Sequence, residues 1–278
     1  MNFGLRNIKL FFKDKTTVVL SLLAEIIIMV LYIIFIRDNL LQRFPMIENA
    51  ELIMDSWMIA GILGITPLTA AMGAYGVMIN DKAGRIERDF KTSPMGRVKM
   101  INGYLFSASV SGIIMSLVIL ILAQIYLIIC YGETAAKGQL STVFLLMIIN
   151  SVCSSAIVIL PLSLLKSSNA LSACCTIIGS LIGFLTGIYL PIGSLNETVI
   201  LLIKAFPISH MVVLLRKSLT SRFVEFNMSP EKAIYFREYM GMDFMINEEV
   251  MTSTMSLLIV AGSAATSVII VYAKGRSS

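Results

Sequence analysis

The stretch NDKAGRIERDFKTSPMGRVKMING, residues Asn80–Gly103, is the long polar break in the first two-thirds of an otherwise apolar chain. It carries six basic and three acidic residues, and apolar runs long enough to cross a membrane lie on both sides of it. A charged hairpin between two spans cannot enter lipid, and its excess of Lys and Arg predicts a cytoplasmic position. We therefore expect a cytoplasmic component to bind this hairpin and to transmit movement by way of the hairpin to the membrane spans.

The composition indicates that lipid is the solvent for much of this chain. Of its 278 residues, 57% are hydrophobic and 14% are charged, and the mean hydropathy is +0.85. Backbone polar groups find no partners in hydrocarbon, so the crossings must be helices or a closed barrel. The apolar runs are about 20 residues or longer and lack strict alternation, which favours helices. The sequence therefore predicts an all-α membrane protein of one domain, residues 1–278.

Six membrane-spanning helices are predicted, at residues 17–36, 57–79, 104–130, 140–165, 170–190 and 252–273. The hairpin of residues 80–103 joins the second and third of them on the cytoplasmic side. The segment 191–251 contains apolar runs that are too short to cross. We expect it to form an extracytoplasmic cap, with a re-entrant helix that turns back at Pro207.

Residues 1–16 predict a short amphipathic helix on the inner membrane surface, because Leu5, Ile8 and Phe12 share one face of a helical wheel. A plain basic flank of the first span is the alternative. The termini and loops assigned to the cytoplasm hold 13 of the 22 Lys and Arg residues, although they are short, and the segments assigned outside hold 9. This distribution places both termini in the cytoplasm.

The sequence contains no motif for catalysis or for nucleotide, cofactor or metal binding. It has no H-E-x-x-H, no G-x-S-x-G and no G-x-x-x-x-G-K-[ST] phosphate-binding loop, so we expect no nucleotide hydrolysis by this chain. The net charge of +5 is explained by its distribution among the loops and does not predict nucleic-acid binding. The sole histidine, His210, has no evident Asp or Ser partner and is interpreted as structural or interfacial.

Glu25 is the one acid within the predicted spans, and an acid at that depth suggests a functional role. Binding of a cationic substrate and a hydrogen bond between helices remain equally open. An isolated glutamate argues against a proton-coupled carrier, which usually needs a relay of buried acids and bases. Ser and Asn residues on the spans either bond between helices or line a pathway. Gly179, Gly183 and Gly187 predict a smooth groove along the fifth span, suited to packing against another helix.

The whole pattern resembles the membrane subunit of a type-2 ABC exporter, the family of drug, polysaccharide and peptide export permeases. Three places carry the resemblance. A basic amphipathic "elbow" helix, Asn2–Lys15, precedes the first span. The hairpin run Gly84–Pro94, GRIERDFKTSP, is similar to the family's charged E-R stretch and S-P step. Leu190-Pro191-Ile192, then Phe206–His210 and Leu214–Arg216, are similar to the proline-bearing re-entrant helices before the last span.

This resemblance implies a two-part machine. Such permeases pair as two six-span subunits, each seated on a separate soluble ATPase that binds ATP and magnesium. The hairpin would be the coupling helix that docks on that ATPase. The resemblance implies docking contacts from five charged residues, namely Arg85, Glu87, Arg88, Asp89 and Arg97. It also implies a bacterial plasma membrane. A solvated loop that is held inside only by its charge is the alternative for the hairpin.

Two other classes of function compete with the exporter. An ATPase-independent six-span carrier or channel predicts function without a soluble partner, and the lack of buried ion-coupling residues counts against it. An intramembrane enzyme acting on lipid predicts acids or histidines clustered at one depth, and the sequence shows none. A drug, a peptide, a lipid and a glycan all fit as substrate, and both a homodimer and a heterodimer remain open.

Overall fold

A computed structural model describes residues 3–45, 47–84, 86, 96–135, 138–246 and 249–276. The helices discussed below are α1 (Phe3–Lys13), α2 (Lys15–Leu31), α3 (Arg37–Arg43), α4 (Ala50–Ala83), α5 (Arg97–Tyr131), α6 (Leu140–Ser163), α7 (Ser168–Leu185), α8 (Glu197–Ala205), α9 (Pro207–Asn227), α10 (Pro230–Tyr239) and α11 (Ser253–Arg276). A π-helical turn, Tyr32–Ile36, joins α2 to α3, and a 3-10 turn, Ile192–Ser194, precedes α8. Two short antiparallel strands, β1 (Met245–Ile246) and β2 (Glu249–Val250), precede α11.

Among the described residues, six helical segments are long and apolar enough to cross a membrane. They are Lys15–Arg43, Ala50–Ala83, Arg97–Tyr131, Leu140–Ser163, Ser168–Leu185 and Ser253–Lys274. This set confirms the predicted all-α membrane fold, since each segment contains most or all of one predicted span. The segments differ in burial, from 78% of the most apolar window in Ala50–Ala83 to 11% in the first and fifth segments. The chain is therefore built around α4, while α2 and α7 lie at its periphery.

Helix α4 packs most extensively against α5, α9 and α6. Small residues allow these close approaches. A Cβ atom on Gly64 would lie 2.3 Å from the Val212 side chain of α9, and one on Gly112 of α5 would lie 3.4 Å from the backbone of Pro67. Asn150 of α6 donates a hydrogen bond to the Gly64 carbonyl at 2.9 Å, which satisfies a polar group in the middle of the bundle.

Helix α1 packs against the start of α5, and each helix places a phenylalanine ring over a glycine of the other. The Phe3 ring occupies the space above Gly103, and the Phe106 ring occupies the space above Gly4. Phe3, Asn7 and Phe11 are buried, whereas Leu5 remains 47% exposed. The helix therefore has a protein-facing side that the helical wheel did not distinguish from its apolar and basic sides.

Asp14 separates α1 from α2 and caps the second helix. Its carboxylate accepts hydrogen bonds from the Thr17 hydroxyl at 2.7 Å and the Thr17 backbone N–H at 3.1 Å. These bonds lower the pKa of Asp14 below its ordinary value. An aspartate at this position stabilises the start of α2, because the first backbone N–H groups of a helix have no partner within the helix.

Helices α8 and α9 are bent by 93° at Phe206–Pro207, the position where the sequence predicts a reversal. His210 of α9 is fully buried beneath the bend. Its Nε2 lies 2.9 Å from the Lys204 carbonyl, and its ring packs edge-on against Phe244. Its Nδ1 lies 3.4 Å from the Ser256 hydroxyl, so the histidine has a serine neighbour that the sequence did not indicate. A structural role for His210 stays a prediction. Insertion of the bent pair into a membrane leaflet stays a prediction.

Helix α7 ends at Leu185, so the expected row of three glycines on one helix requires correction. Gly187 lies beyond the helix with a positive φ of 63°, where the chain reverses. The Tyr189 ring fills the space above Gly183, where a Cβ atom would lie 2.2 Å from it. Two of the three glycines thus accommodate the chain's own turn, and nothing described lies within 4 Å of a Cβ placed on Gly179.

Candidate functional site

Most of the predicted docking residues lie outside the described part of the chain. These residues are Arg85, Glu87, Arg88 and Asp89. The fifth, Arg97, is the first residue of α5 and is partly exposed, directly after the extended Gly96. The docking contacts of all five residues stay a prediction. The site that the structure describes is the hairpin base, which we define as the end of α4 and the start of α5.

Three residues join the helices at the hairpin base, namely Arg6 of α1, Asp81 of α4 and Tyr104 of α5. We call them the hairpin-end clamp. Both terminal nitrogens of Arg6 donate to the Asp81 carboxylate at 2.9 Å, and the Tyr104 hydroxyl donates to Asp81 Oδ2 at 2.8 Å. The hydrogen bonds to Asp81 raise the pKa of Arg6 above its ordinary value, so its guanidinium stays charged. One buried carboxylate thus joins three helices where the chain enters and leaves the hairpin.

A matching arrangement, the far-end clamp, lies at the opposite end of α4. It consists of Arg37 of α3, Asp55 of α4, and Tyr126 and Tyr131 of α5. Both tyrosine hydroxyls donate to Asp55 Oδ2 at 2.7 Å, and Arg37 Nε lies 3.2 Å from Asp55 Oδ1. Arg37 also donates to Tyr131 and to Glu51. Asp55 has no exposed side-chain surface.

Glu25 is the one acid within the spans as predicted, and the clamps show two more acids on the longer helix α4. Asp55 and Asp81 both belong to the helix that crosses the membrane, although the predicted span of 57–79 excluded them. Their charges stopped the predicted apolar run at both ends, whereas the helix continues because each carboxylate is buried with an arginine and tyrosine hydroxyls. The available signal was an acid near each end of the run, with an arginine earlier in the chain and a tyrosine later in it.

Glu25 of α2 faces α4, and the structure shows one of the two roles left open for it, while binding of a cationic substrate stays a prediction. Its Oε1 accepts a hydrogen bond from the Thr69 hydroxyl at 3.2 Å, which is a contact between helices. Its Oε2 is buried and has no hydrogen-bond partner among the described residues. Glu25 also lines an apolar groove of about 340 Å³ between α2 and α5, floored by Ile59 and Ile62 of α4.

Serine residues on the spans bond mainly within or between helices. Ser155 of α6 lies 2.7 Å from Ser109 of α5, and its carbonyl accepts from Tyr75 of α4 at 2.9 Å. Ser111 and Ser116 are buried without a hydrogen-bond partner among the described residues. Bonding between helices therefore accounts for some of the polar residues and leaves these two hydroxyls unexplained.

Arg216 of α9 is a buried cation that the sequence offered only as part of a resemblance. It has no exposed surface, its guanidinium lies 4.1 Å from the Trp57 ring centre, and it donates to the Gly187 carbonyl at 2.8 Å. The Met240 and Gly241 carbonyls lie 3.4 Å from it. Carbonyl groups just beyond the ends of α7 and α10 thus surround the charge, where helix dipoles favour a cation.

Within the described residues, no three His, Cys, Asp or Glu side chains form a group that could hold a metal ion. Most polar atoms of the clamps bond to one another, except that Asp55 Oδ1 and Arg37 Nε form an ion pair at 3.2 Å without a hydrogen bond. The groove beside Glu25 is mainly apolar. This arrangement can transmit a movement between helices and receive an apolar body. The one serine hydroxyl described beside the histidine is that of Ser256, 3.4 Å from His210 Nδ1, and both residues are buried.

The comparison with protein families is direct. The model of the family described as "ABC-2 type transporter" matches residues 3–220, which include α1, the hairpin and the first five candidate spans. No curated protein and no solved structure matches the chain. The matched stretch covers well over half of the sequence and includes both clamps and Glu25. The chain therefore belongs to the ABC-2 type transporter family and is a multi-pass membrane permease component of an ABC transporter.

Proposed function

We propose that this permease is the membrane subunit of an ATP-driven exporter that moves a drug, peptide, lipid or glycan outward. Its partner is a separate soluble ATPase, which binds ATP and magnesium and docks on the hairpin of residues 80–103. The observation that carries the proposal is the hairpin-end clamp. Asp81 lies at the start of the hairpin segment and Tyr104 directly after it, and both Tyr104 and Arg6 of α1 donate to Asp81.

The geometry supports a transmission role because the hairpin leaves from the most buried helix. A push on the hairpin reaches α4 and α5 together, since Asp81 is hydrogen-bonded to Tyr104 at 2.8 Å. It reaches α1 through two hydrogen bonds from Arg6. Helix α4 in turn packs against α5, α6 and α9, so its displacement shifts much of the bundle as a rigid body.

A second permease subunit completes the proposed pathway. Helices α2 and α7 are each only 11% buried in their most apolar windows, which leaves large apolar faces for lipid or another subunit. The open face at Gly179 is suited to such packing. We place the assembly in a bacterial plasma membrane with both termini and the hairpin in the cytoplasm, as the distribution of Lys and Arg predicts.

The test is purification of the tagged full-length chain from its native membrane in mild detergent, followed by an ATPase assay of the recovered complex. We expect a soluble ATPase subunit to co-purify. The double variant Glu87→Ala/Arg88→Ala should lower its recovery at least about tenfold, because charged contacts at the centre of an interface dominate affinity. Glu231→Ala/Lys232→Ala is the matched control, since it removes one acid and one base that are exposed on α10.

Recovery of the ATPase with the wild type and the control, and its loss with the hairpin variant at equal permease yield, would support the proposal. Recovery of the permease without any ATPase across several detergents would instead favour an ATPase-independent carrier or channel. Equal recovery by all three proteins would show that the hairpin is not the docking site.

A further inference from the structure

The groove beside Glu25 is lined by three helices and ends at a carboxyl oxygen that has no hydrogen-bond partner among the described residues. Its walls come from α2 and α5, and its floor from α4. The lining residues are Glu25, Ile26, Met29, Val30, Ile33, Ile59, Ile62, Ile119, Leu122, Ala123 and Tyr126. Glu25 is its acid, and the Tyr126 hydroxyl is already bonded to Asp55 at 2.7 Å. The volume of about 340 Å³ lies within the range of pockets that hold drug-sized molecules.

The shape of the groove follows from helix periodicity. Glu25 and Met29 of α2 and Ile33 of the following π-helical turn are spaced four residues apart, so they form one row of about 12 Å. Ile119, Ala123 and Tyr126 lie on one face of α5 opposite this row. The groove is therefore elongated, with a carboxyl group at one end and apolar walls along its length.

The Glu25 carboxyl group is buried, and its hydrogen bonding to the described residues is incomplete. The residue is 3% exposed, and no ion pair reaches it within the described part of the chain. Thr69 donates to one of its oxygens, and the other oxygen has no described donor. A buried carboxyl group that lacks part of its hydrogen bonding is costly, and a donor or cation placed beside it offsets that cost.

We propose that this groove binds a lipophilic amine, with its ammonium group on Glu25 and its apolar body between α2 and α5. Charge complementarity selects the head group, because Glu25 is the sole charged residue among the described residues of the lining. The partly exposed walls Ile26, Val30 and Leu122 show that α2 and α5 leave the groove open at the side. An amphiphile dissolved in the bilayer can therefore enter without crossing an aqueous phase. This inference rests on the proposed function only in making the amine a transported substrate, because binding is a property of the permease alone.

The experiment uses the purified full-length chain in nanodiscs of neutral lipid, without the ATPase. The probe is dodecylamine that carries a photoreactive diazirine in its alkyl chain, and the matching dodecanol derivative is the uncharged comparison. Cross-linked peptides are identified by mass spectrometry as a function of probe concentration. We expect saturable labelling by the amine within residues 25–33 and 119–126, and at least about tenfold weaker labelling by the alcohol, because a bond to a charged group is the stronger one.

Two variants separate the carboxylate from the groove. Glu25→Gln keeps the size of the side chain and an oxygen for Thr69, and it should weaken amine labelling at least about tenfold. Ala123→Phe should abolish labelling at these peptides by filling the groove. Ile121→Phe is its matched control, because Ile121 is 58% exposed on the same helix and is not part of the lining. This control should leave labelling unchanged.

Equal labelling of the wild type and Glu25→Gln, or equal labelling by amine and alcohol, would overturn the carboxylate's role. Labelling that Ala123→Phe and Ile121→Phe affect equally would overturn the groove as the binding site. Failure to recover an ATPase in the purification described above would contradict the proposed function and would leave these binding results standing, so the two proposals fail separately.

Discussion

The two ends of α4 solve the same physical problem in different ways. At each end a buried aspartate bonds to an arginine from the N-terminal helices and to tyrosine from α5. At the far end, Asp55 has no exposed side-chain surface and accepts from two tyrosines. At the hairpin end, Asp81 is 4% exposed and accepts two hydrogen bonds from Arg6 and one from Tyr104. The two aspartates are 26 residues apart, about 39 Å along the helix.

This difference indicates that the two clamps have different mechanical roles. In the far-end clamp two tyrosines donate to one oxygen of a fully buried carboxylate, and Arg37 forms an ion pair with the other oxygen. Because breaking a buried ion pair is costly, this arrangement favours a fixed junction of α3, α4 and α5. The hairpin-end clamp joins helices through a two-pronged Arg–Asp pair, which specifies orientation between the bodies that it connects. We interpret the far end as the fixed junction of the spans and the hairpin end as the place where movement enters them.

The largest expected effect comes from Asp55→Ala. The change leaves Arg37 and two tyrosine hydroxyls around an emptied buried site, and breaking such a pair typically costs about 3–5 kcal/mol. We expect the free energy of unfolding, measured by SDS titration in mixed micelles, to fall by that amount. A loss below about 1 kcal/mol, the range of exposed ion pairs, would contradict a buried structural clamp.

A smaller loss is expected from Asp81→Ala at the hairpin end. Arg6 is 23% exposed and still donates to Asn7 Oδ1 at 2.9 Å, so part of its bonding survives. We expect the free energy of unfolding to fall by about 1.5–3 kcal/mol, the usual value for a lost bond to a charged group. The same titration measures it. A loss as large as that of Asp55→Ala would remove the distinction between the two ends.

Single tyrosine substitutions should give the smallest effects and sharpen the comparison. Tyr104→Phe removes the described tyrosine donor of Asp81, whereas Tyr126→Phe leaves Asp55 bonded to Tyr131 at 2.7 Å. We expect losses of about 1.5 and about 1 kcal/mol, respectively, in the free energy of unfolding. A double-mutant cycle of Tyr126→Phe with Asp55→Ala should show strong non-additivity, because both changes remove the same bond. Additive losses would contradict the assigned contact.

Much of the fold was predictable because apolar length is a strong signal for a membrane span. The runs at 104–130 and 140–165 closely match α5 and α6, since neither contains a charge that interrupts the pattern. The family was predictable from the order of the elbow, hairpin and proline-bearing segments, and the family match confirms it. Both results follow from patterns along the chain.

The clamps could not be predicted in the same way because they depend on contacts between distant residues. Arg6 meets Asp81 across 75 positions, and Tyr131 meets Asp55 across 76 positions. Charge patterning assigned Asp55 and Asp81 to loops and Arg6 to a helix on the membrane surface, because charges near span ends usually face solvent or lipid head groups. The prediction that Gly187 lies on the fifth span was wrong for a local reason. A glycine four residues after another fits a helix face, but it also fits a chain reversal with positive φ.

The most direct test of the account compares Arg6→Gln with Arg37→Gln, the same change in the two clamps. The measurement is the ATP hydrolysis rate of the complex that each permease forms with the wild-type ATPase at equal occupancy in nanodiscs. We predict that Arg6→Gln lowers the hydrolysis rate stimulated by the permease at least about fivefold, a size typical of lost coupling between sites. Arg37→Gln should leave the rate of the surviving folded complex unchanged and lower its unfolding midpoint. Equal rates for both variants would contradict the assignment of the hairpin end as the point where movement enters the membrane spans.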